Sequence, residues 1–165
     1  MMHEPKVSPS PQAIADAYEA CTKLTRAHYE NFPVGRLVPR DMQPHVHAVY
    51  AFARHADDLA DEGYAGSARA RGASDVMTPA ERLAALGDWE RQLLAAPDTP
   101  GLHFIFIALH ETIRRLDLPL GLFTDLLSAF KQDVVKRRYA DFSEVVDYCR
   151  RAPSGRGSNP PRRAR

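Results

Sequence analysis

Four carboxylates crowd the stretch YAFARHADDLADE, residues 50–62, among a tyrosine, a phenylalanine and alanines that suit a buried helix. On a helical wheel at roughly 100° per residue, Val46, Val49, Ala53, Ala56, Leu59 and Ala60 form an apolar arc. Asp57 falls inside one edge of that arc, beside Tyr50, and Asp61 falls just beyond it with Arg54. Asp58 and Glu62 lie further round, toward solvent. Asp57 and Asp61 stand one helical turn apart, and a like-charged pair at that spacing costs about a few tenths of a kcal/mol even on an open surface. A divalent cation reverses the sign, because Mg²⁺ is held by one or two carboxylates and completed by waters and phosphate oxygens. An acidic helix end neutralised by Arg54 accounts for the same spacing.

Arg54 and Tyr50 share that edge. An arginine there can hold a diphosphate and a tyrosine ring can stabilise a cation, while a salt bridge and a core tyrosine are the simpler alternatives. His45 and His47 lie about 200° apart on a helix, too far round to share one metal. They read as surface or packing residues. Gln132 and Asp133 interrupt the apolar run from Leu120 to Phe130, and Arg138-Tyr139 close that stretch. Alone they fit a helix becoming polar toward its basic end. ExxH, GxGxxG, P-loop and GxSxG patterns are absent from the 165 residues, so di-iron, nucleotide and hydrolase chemistry lack support.

These side chains need a helical frame to position them. Pro11 to His28 reads as a first helix after a loose tail over residues 1–10, and a second runs from Asp41, as N-cap, to about Gly63. Residues 63–78 read as a loop. Thr78, Pro79 and Glu81 open a third helix to about Ala96, followed by patterns over His103–Leu116 and Leu120–Arg138 and a last helix from near Asp141. Period-two alternation is missing, so the fold class is all-α, a bundle of helices with wide apolar faces.

The composition, 44% hydrophobic and 26% charged with a formal net charge of +1, is globular and gives no general pull toward nucleic acid or anionic membrane. Cys21 and Cys149 form neither a disulfide framework nor a zinc motif, which suits a reducing cytoplasm. The longest purely apolar run, Phe104–Leu109, is too short to span a bilayer, which leaves contact with the membrane surface open.

Taken in order, HYENFPVGRLVP, HAVYAFARHADDLADEG and LLSAFKQDVVKRRYADFSEVVDYCRR resemble the squalene/phytoene synthase family over about residues 14–151. ENFPV with FARHADDLADEG looks most like its hydroxysqualene synthase branch, of the bacterial hopanoid pathway. The resemblance implies an all-α isoprenoid synthase fold whose central cavity is faced by two aspartate-rich motifs. The first is matched by Asp57, Asp58 and Asp61, with Asp57 and Asp61 in the Mg²⁺-binding places. Tyr50 and Arg54 match residues acting at the ionising diphosphate, and Asp133 and Tyr139 match positions lining the cavity. The implied substrate is an isoprenoid diphosphate, and no nucleic acid is implied.

The match stops after Arg151, where APSGRGSNPPRRAR carries four Arg and three Pro but no Leu, Ile, Val, Phe or Met. Such text is what a wrong reading frame of GC-rich DNA gives, and residues 152–165 are expected to be an out-of-frame tail on a partial domain over 11–151. The second aspartate-rich motif would lie beyond residue 151. The chain alone is therefore expected to be inactive, with helices 103–116 and 120–138 exposing apolar faces that favour association. A non-catalytic helical binding protein, its acidic stretch merely solvated, is the competing class.

Overall fold

In the computed structural model, residues 8–28, 37–61 and 77–151 are described, with side chains as far as residue 136. Residues 1–7 and 152–165 of the expected tails, the expected loop as far as residue 76, Glu62 and the side chain of Tyr139 lie outside them. The described residues form five helices: α1 (Pro11–His28), α2 (Gln43–Asp61), α3 (Pro79–Leu94), α4 (Phe104–Leu116) and α5 (Leu120–Arg151). Among these residues no strand occurs, as the all-α reading requires.

Local chemistry explains most boundaries. The Ser10 hydroxyl accepts from the Ala13 amide, and Pro11 supplies the helical φ at the first position of α1. A reciprocal capping box starts α3: the Glu81 amide donates to the Thr78 hydroxyl at 3.2 Å, and the Thr78 amide donates to the Glu81 carboxylate at 2.7 Å. Those bonds hold the Glu81 carboxyl below its usual range. His103 caps α4 through its ring nitrogen, and Asp117 ends it in the left-handed region at φ 50°, directly before the Leu118-Pro119 break.

Two boundaries differ from the sequence reading. Asp41 makes no capping bond; a backbone turn, in which the Met42 and Gln43 amides donate to the Pro39 carbonyl, launches α2 instead. Pro44 then sits in the first turn, where its missing N–H is not needed. The break expected between Arg138 and Asp141 is absent, and α5 runs unbroken for 32 residues. RRYAD contains neither glycine nor proline, so nothing there stops a helix.

Helix α2 packs against all four other helices. Its buried residues are His47, Ala48, Ala51, Phe52, Ala56, Leu59 and Ala60; Ala56, Leu59 and Ala60 of the expected arc are thus buried, whereas Val46, Val49 and Ala53 are only half-buried. Phe52 decides the rotation. It is fully buried, stacks near Trp89 of α3 at 6.2 Å, and meets Phe106 of α4 and Phe123 of α5 edge-on at 5.9 and 5.6 Å. Alanines at 48, 51 and 56 let the neighbouring helices approach closely around it. The apolar face of α4 is also covered by this chain, through Ile105, Phe106, Ala108 and Leu109. That corrects the exposed face expected for residues 103–116; Leu120, Leu122 and Val135 of α5 do remain exposed.

Buried polar groups tie α1 to the bundle. Tyr18 OH, His45 Nδ1 and the Thr112 hydroxyl form a triangle of hydrogen bonds at 2.9–3.2 Å, and His47 bonds the Thr22 hydroxyl at 3.0 Å. His45 and His47 therefore serve packing. Burial pushes the Cys21 thiol up to about 12, which makes it an inert core group.

Phe52→Ala should cost about 3–5 kcal/mol in urea unfolding, because one cavity would open against three helices at once; a loss below about 0.5 kcal/mol would contradict its central role. A second expectation concerns acid. His55 stacks on Trp89 at 4.1 Å, His103 meets the same ring at 5.4 Å, and the buried His110 donates to the Leu93 carbonyl at 3.0 Å. Burial lowers all three below the ordinary histidine value of 6.5, with His103 adding to the effect on His55 and Asp58 opposing it. The unfolded chain thus binds more protons, so this stability is fully present above 6.5 and is lost as pH falls below it. Thermal midpoints followed by Trp89 fluorescence should drop as pH falls below 6.5, and His55→Phe should flatten that slope.

Candidate functional site

The rotation set by Phe52 decides where the acidic helix presents its charges. Tyr50, Arg54, Asp57 and Asp61 recur at intervals of four, three and four residues, so they occupy one strip of α2. At about 100° per residue, Asp57 and Asp61 point roughly opposite to Phe52. The strip thus lies on the side away from the core centre, not on the inner edge of the apolar arc. Tyr50 and Arg54 are half-buried, Asp57 keeps 40% of its side chain exposed, and Asp61 is exposed.

Arg54 links the acids. Its Nη2 lies 2.8 Å from Asp58 Oδ1 and its Nη1 3.6 Å from Asp57 Oδ2. Asp58, placed toward solvent by the sequence reading, is the more sheltered acid, with 24% of its side chain exposed. The wheel referred to the true core explains this, since Asp58 lies nearer to the Phe52 face. The Nε–H of Arg54 is buried and has no hydrogen-bond acceptor among the described residues, so the guanidinium retains an unused donor.

Among the described residues, no group of three or more His, Cys, Asp and Glu side chains is arranged to hold a metal by itself. Two solvent-accessible carboxylates one turn apart still suit Mg²⁺, which keeps several waters and takes phosphate oxygens as its remaining ligands. They do not make a closed cage of the kind Ca²⁺ occupies.

The other two expected residues, Asp133 and Tyr139, belong to α5. Asp133 of α5 is exposed, and among the described residues it makes no hydrogen bond or ion pair. Beside it, Ser128, Lys131, Gln132, Val135 and Lys136 line an open depression of about 330 Å³, with Lys131 paired to Glu90 of α3. Tyr139 lies on the helical backbone of α5.

Sequence reasoning missed Arg82. Its Nη1 donates to the carbonyls of Ala60 and Asp61 at 3.1 and 3.0 Å, closing the end of the acidic helix from α3. The signal was present as a basic residue one turn into a helix that opens with a capping box. His55 also went unread, because stacking on Trp89 joins residues 34 positions apart.

Comparison with known proteins places this frame. A profile of the squalene/phytoene synthase family matches residues 8–154. Hydroxysqualene synthase from Sinorhizobium fredii is 34% identical over 73% of this chain and 37% of its own length. Phytoene synthase from Mycobacterium tuberculosis is 29% identical over 84% of this chain and 41% of its own. The crystal structure of squalene synthase HpnC from Alicyclobacillus acidocaldarius superposes with a TM-score of 0.57 at 38% identity, over 75% of this chain and 42% of that one. The chain thus spans about two fifths of the length of these relatives, 37–42%. Its helices follow the all-helical isoprenoid synthase fold of that structure, and the chain belongs to the squalene/phytoene synthase family.

Proposed function

We propose that the α2 strip is one half of a Mg²⁺-diphosphate site for an isoprenoid substrate, with Asp57 and Asp61 as the metal-binding carboxylates. The observation that carries this reading is the exposed carboxylate pair beside Arg54, whose guanidinium holds two acids while its buried Nε–H lacks an acceptor. Mg²⁺ held by Asp57 and Asp61 would supply positive charge to offset that of a departing diphosphate. Arg54 adds hydrogen bonds to the leaving oxygens, and Asp58, engaged at 2.8 Å, keeps that guanidinium oriented. Tyr50, on the same strip, would stabilise positive charge developing at the carbon from which diphosphate departs. Asp133 and Tyr139 are assigned to the wall of the same cavity.

Within the family, the reaction we favour is conversion of presqualene diphosphate to hydroxysqualene with release of diphosphate, in hopanoid biosynthesis. It is supported by relatives named hydroxysqualene synthase at 34% and 33% identity. Relatives named phytoene synthase, at 26–29% identity, favour head-to-head joining of two prenyl diphosphates as the second reading. Product analysis with both substrates separates the two. No described helix is long and apolar enough to cross a membrane. The proposal places the protein in the cytoplasm, in contact with the inner membrane face, with Leu120, Leu122 and Val135 of α5 offering a surface for association.

The DxxxD spacing occurs once in the 165 residues, and the site is proposed to need a second such pair for turnover. The chain alone should bind Mg²⁺ with inorganic pyrophosphate without steady conversion of presqualene or farnesyl diphosphate. By calorimetry, Asp57→Asn and Asp61→Asn should each weaken that binding by about tenfold or more. Unchanged binding in both variants would leave α2 as an acidic helix end in a non-catalytic binding protein.

A further inference from the structure

The last turn of a helix is its weakest part, because its final carbonyls have no partner within the helix. Asp61 is the final residue of α2, so one of the two proposed metal ligands stands where a helix frays most readily. Charge makes this worse. Asp57, Asp58 and Asp61 gather where the helix dipole is itself negative, and no basic residue occupies the last turn of α2. The i,i+4 geometry that aligns Asp57 with Asp61 exists only while this turn is helical.

One residue of another helix answers both problems. Arg82 of α3 donates from Nη1 to the carbonyl of Ala60 at 3.1 Å and to that of Asp61 at 3.0 Å. Its position is fixed in turn. The Thr78–Glu81 capping box sets the start of α3 one turn earlier, and Trp89 anchors the same helix against Phe52 and His55 of α2. Arg82 Nε is buried without an acceptor, so among the described residues this guanidinium is committed to helix carbonyls and not to a carboxylate. A cation is thereby held at the C-terminal end of the acidic helix without occupying the acids themselves.

We propose that Arg82 is a positioning residue for the carboxylate pair: it clasps the carbonyls of Ala60 and Asp61 and keeps the 57–61 turn helical before metal arrives. This inference rests on the Mg²⁺-diphosphate reading of Asp57 and Asp61. It assigns Arg82 no contact with substrate. Its effect passes through the backbone of Asp61.

The test is hydrogen exchange together with calorimetry, using Mg²⁺ and inorganic pyrophosphate, on the whole chain and its Arg82→Gln and Arg82→Lys variants. Arg82→Gln should speed exchange of the amides of residues 58–61 by about tenfold while the first three turns of α2 stay protected. It should also weaken Mg²⁺-pyrophosphate binding by about tenfold. Arg82→Lys, whose ammonium can still donate to both carbonyls, should recover most of both. Faster exchange with unchanged affinity would reduce Arg82 to a helix cap and overturn the inference, as would unchanged exchange in Arg82→Gln. Should Arg82→Gln fail to fold, Arg82→Lys decides alone: retained affinity supports the inference, and a folded variant without affinity overturns it. A wild-type chain that binds no Mg²⁺-pyrophosphate defeats the diphosphate reading itself, and this inference with it. Wild-type binding that survives Arg82→Gln defeats only the inference.

Discussion

Burial of Phe52 between α3, α4 and α5 is the constraint from which the rest follows. A helix in contact with four others can adopt few rotations, and its largest apolar side chain selects among them. Once Phe52 points inward, Asp57 and Asp61 must point away from the core. The packing that stabilises the bundle is therefore the same packing that brings the carboxylates to an accessible strip.

Stability and chemistry meet at the two ends of α2. At its start, His45 and His47 are spent on hydrogen bonds to α1 and α4, in a network with Tyr18, Thr22 and Thr112. At its end, Arg54 and Arg82 manage a concentration of negative charge, one through the side chains of Asp57 and Asp58 and the other through main-chain carbonyls. A like-charged pair is tolerable in a folded protein when nearby cations offset part of the repulsion and the remaining cost falls on binding a metal. The planar fork of arginine serves the first task, reaching Asp57 from Nη1 and Asp58 from Nη2, whereas Arg82 meets both carbonyls from Nη1.

Much of this was legible in the sequence. Thr78, Pro79 and Glu81 form a capping box that specifies a helix start by itself, and Leu118-Pro119 specifies a stop. The spacing of Asp57 and Asp61 marked the candidate pair, and the family motifs placed it in an all-α isoprenoid synthase fold. The rotation of α2 was not legible, because a helix rich in alanine has several nearly equal apolar arcs and Phe52 outweighs them only once three partner rings are in place. That error also misplaced Asp58. Arg82 and His55 act across contacts 21 to 34 residues apart in sequence, which no local pattern encodes. The continuity of α5 was hidden by Asp141, a good N-cap residue that here lies within a helix.

Manganese(II) in place of Mg²⁺ tests the central claim most directly, since both are hard cations that favour oxygen ligands. With pyrophosphate present, the metal's paramagnetism should broaden amide signals of α2 from about Ala53 to Asp61, and Asp57→Asn combined with Asp61→Asn should abolish the effect. Broadening centred on another helix, or unchanged in the double variant, would contradict a metal site on this strip.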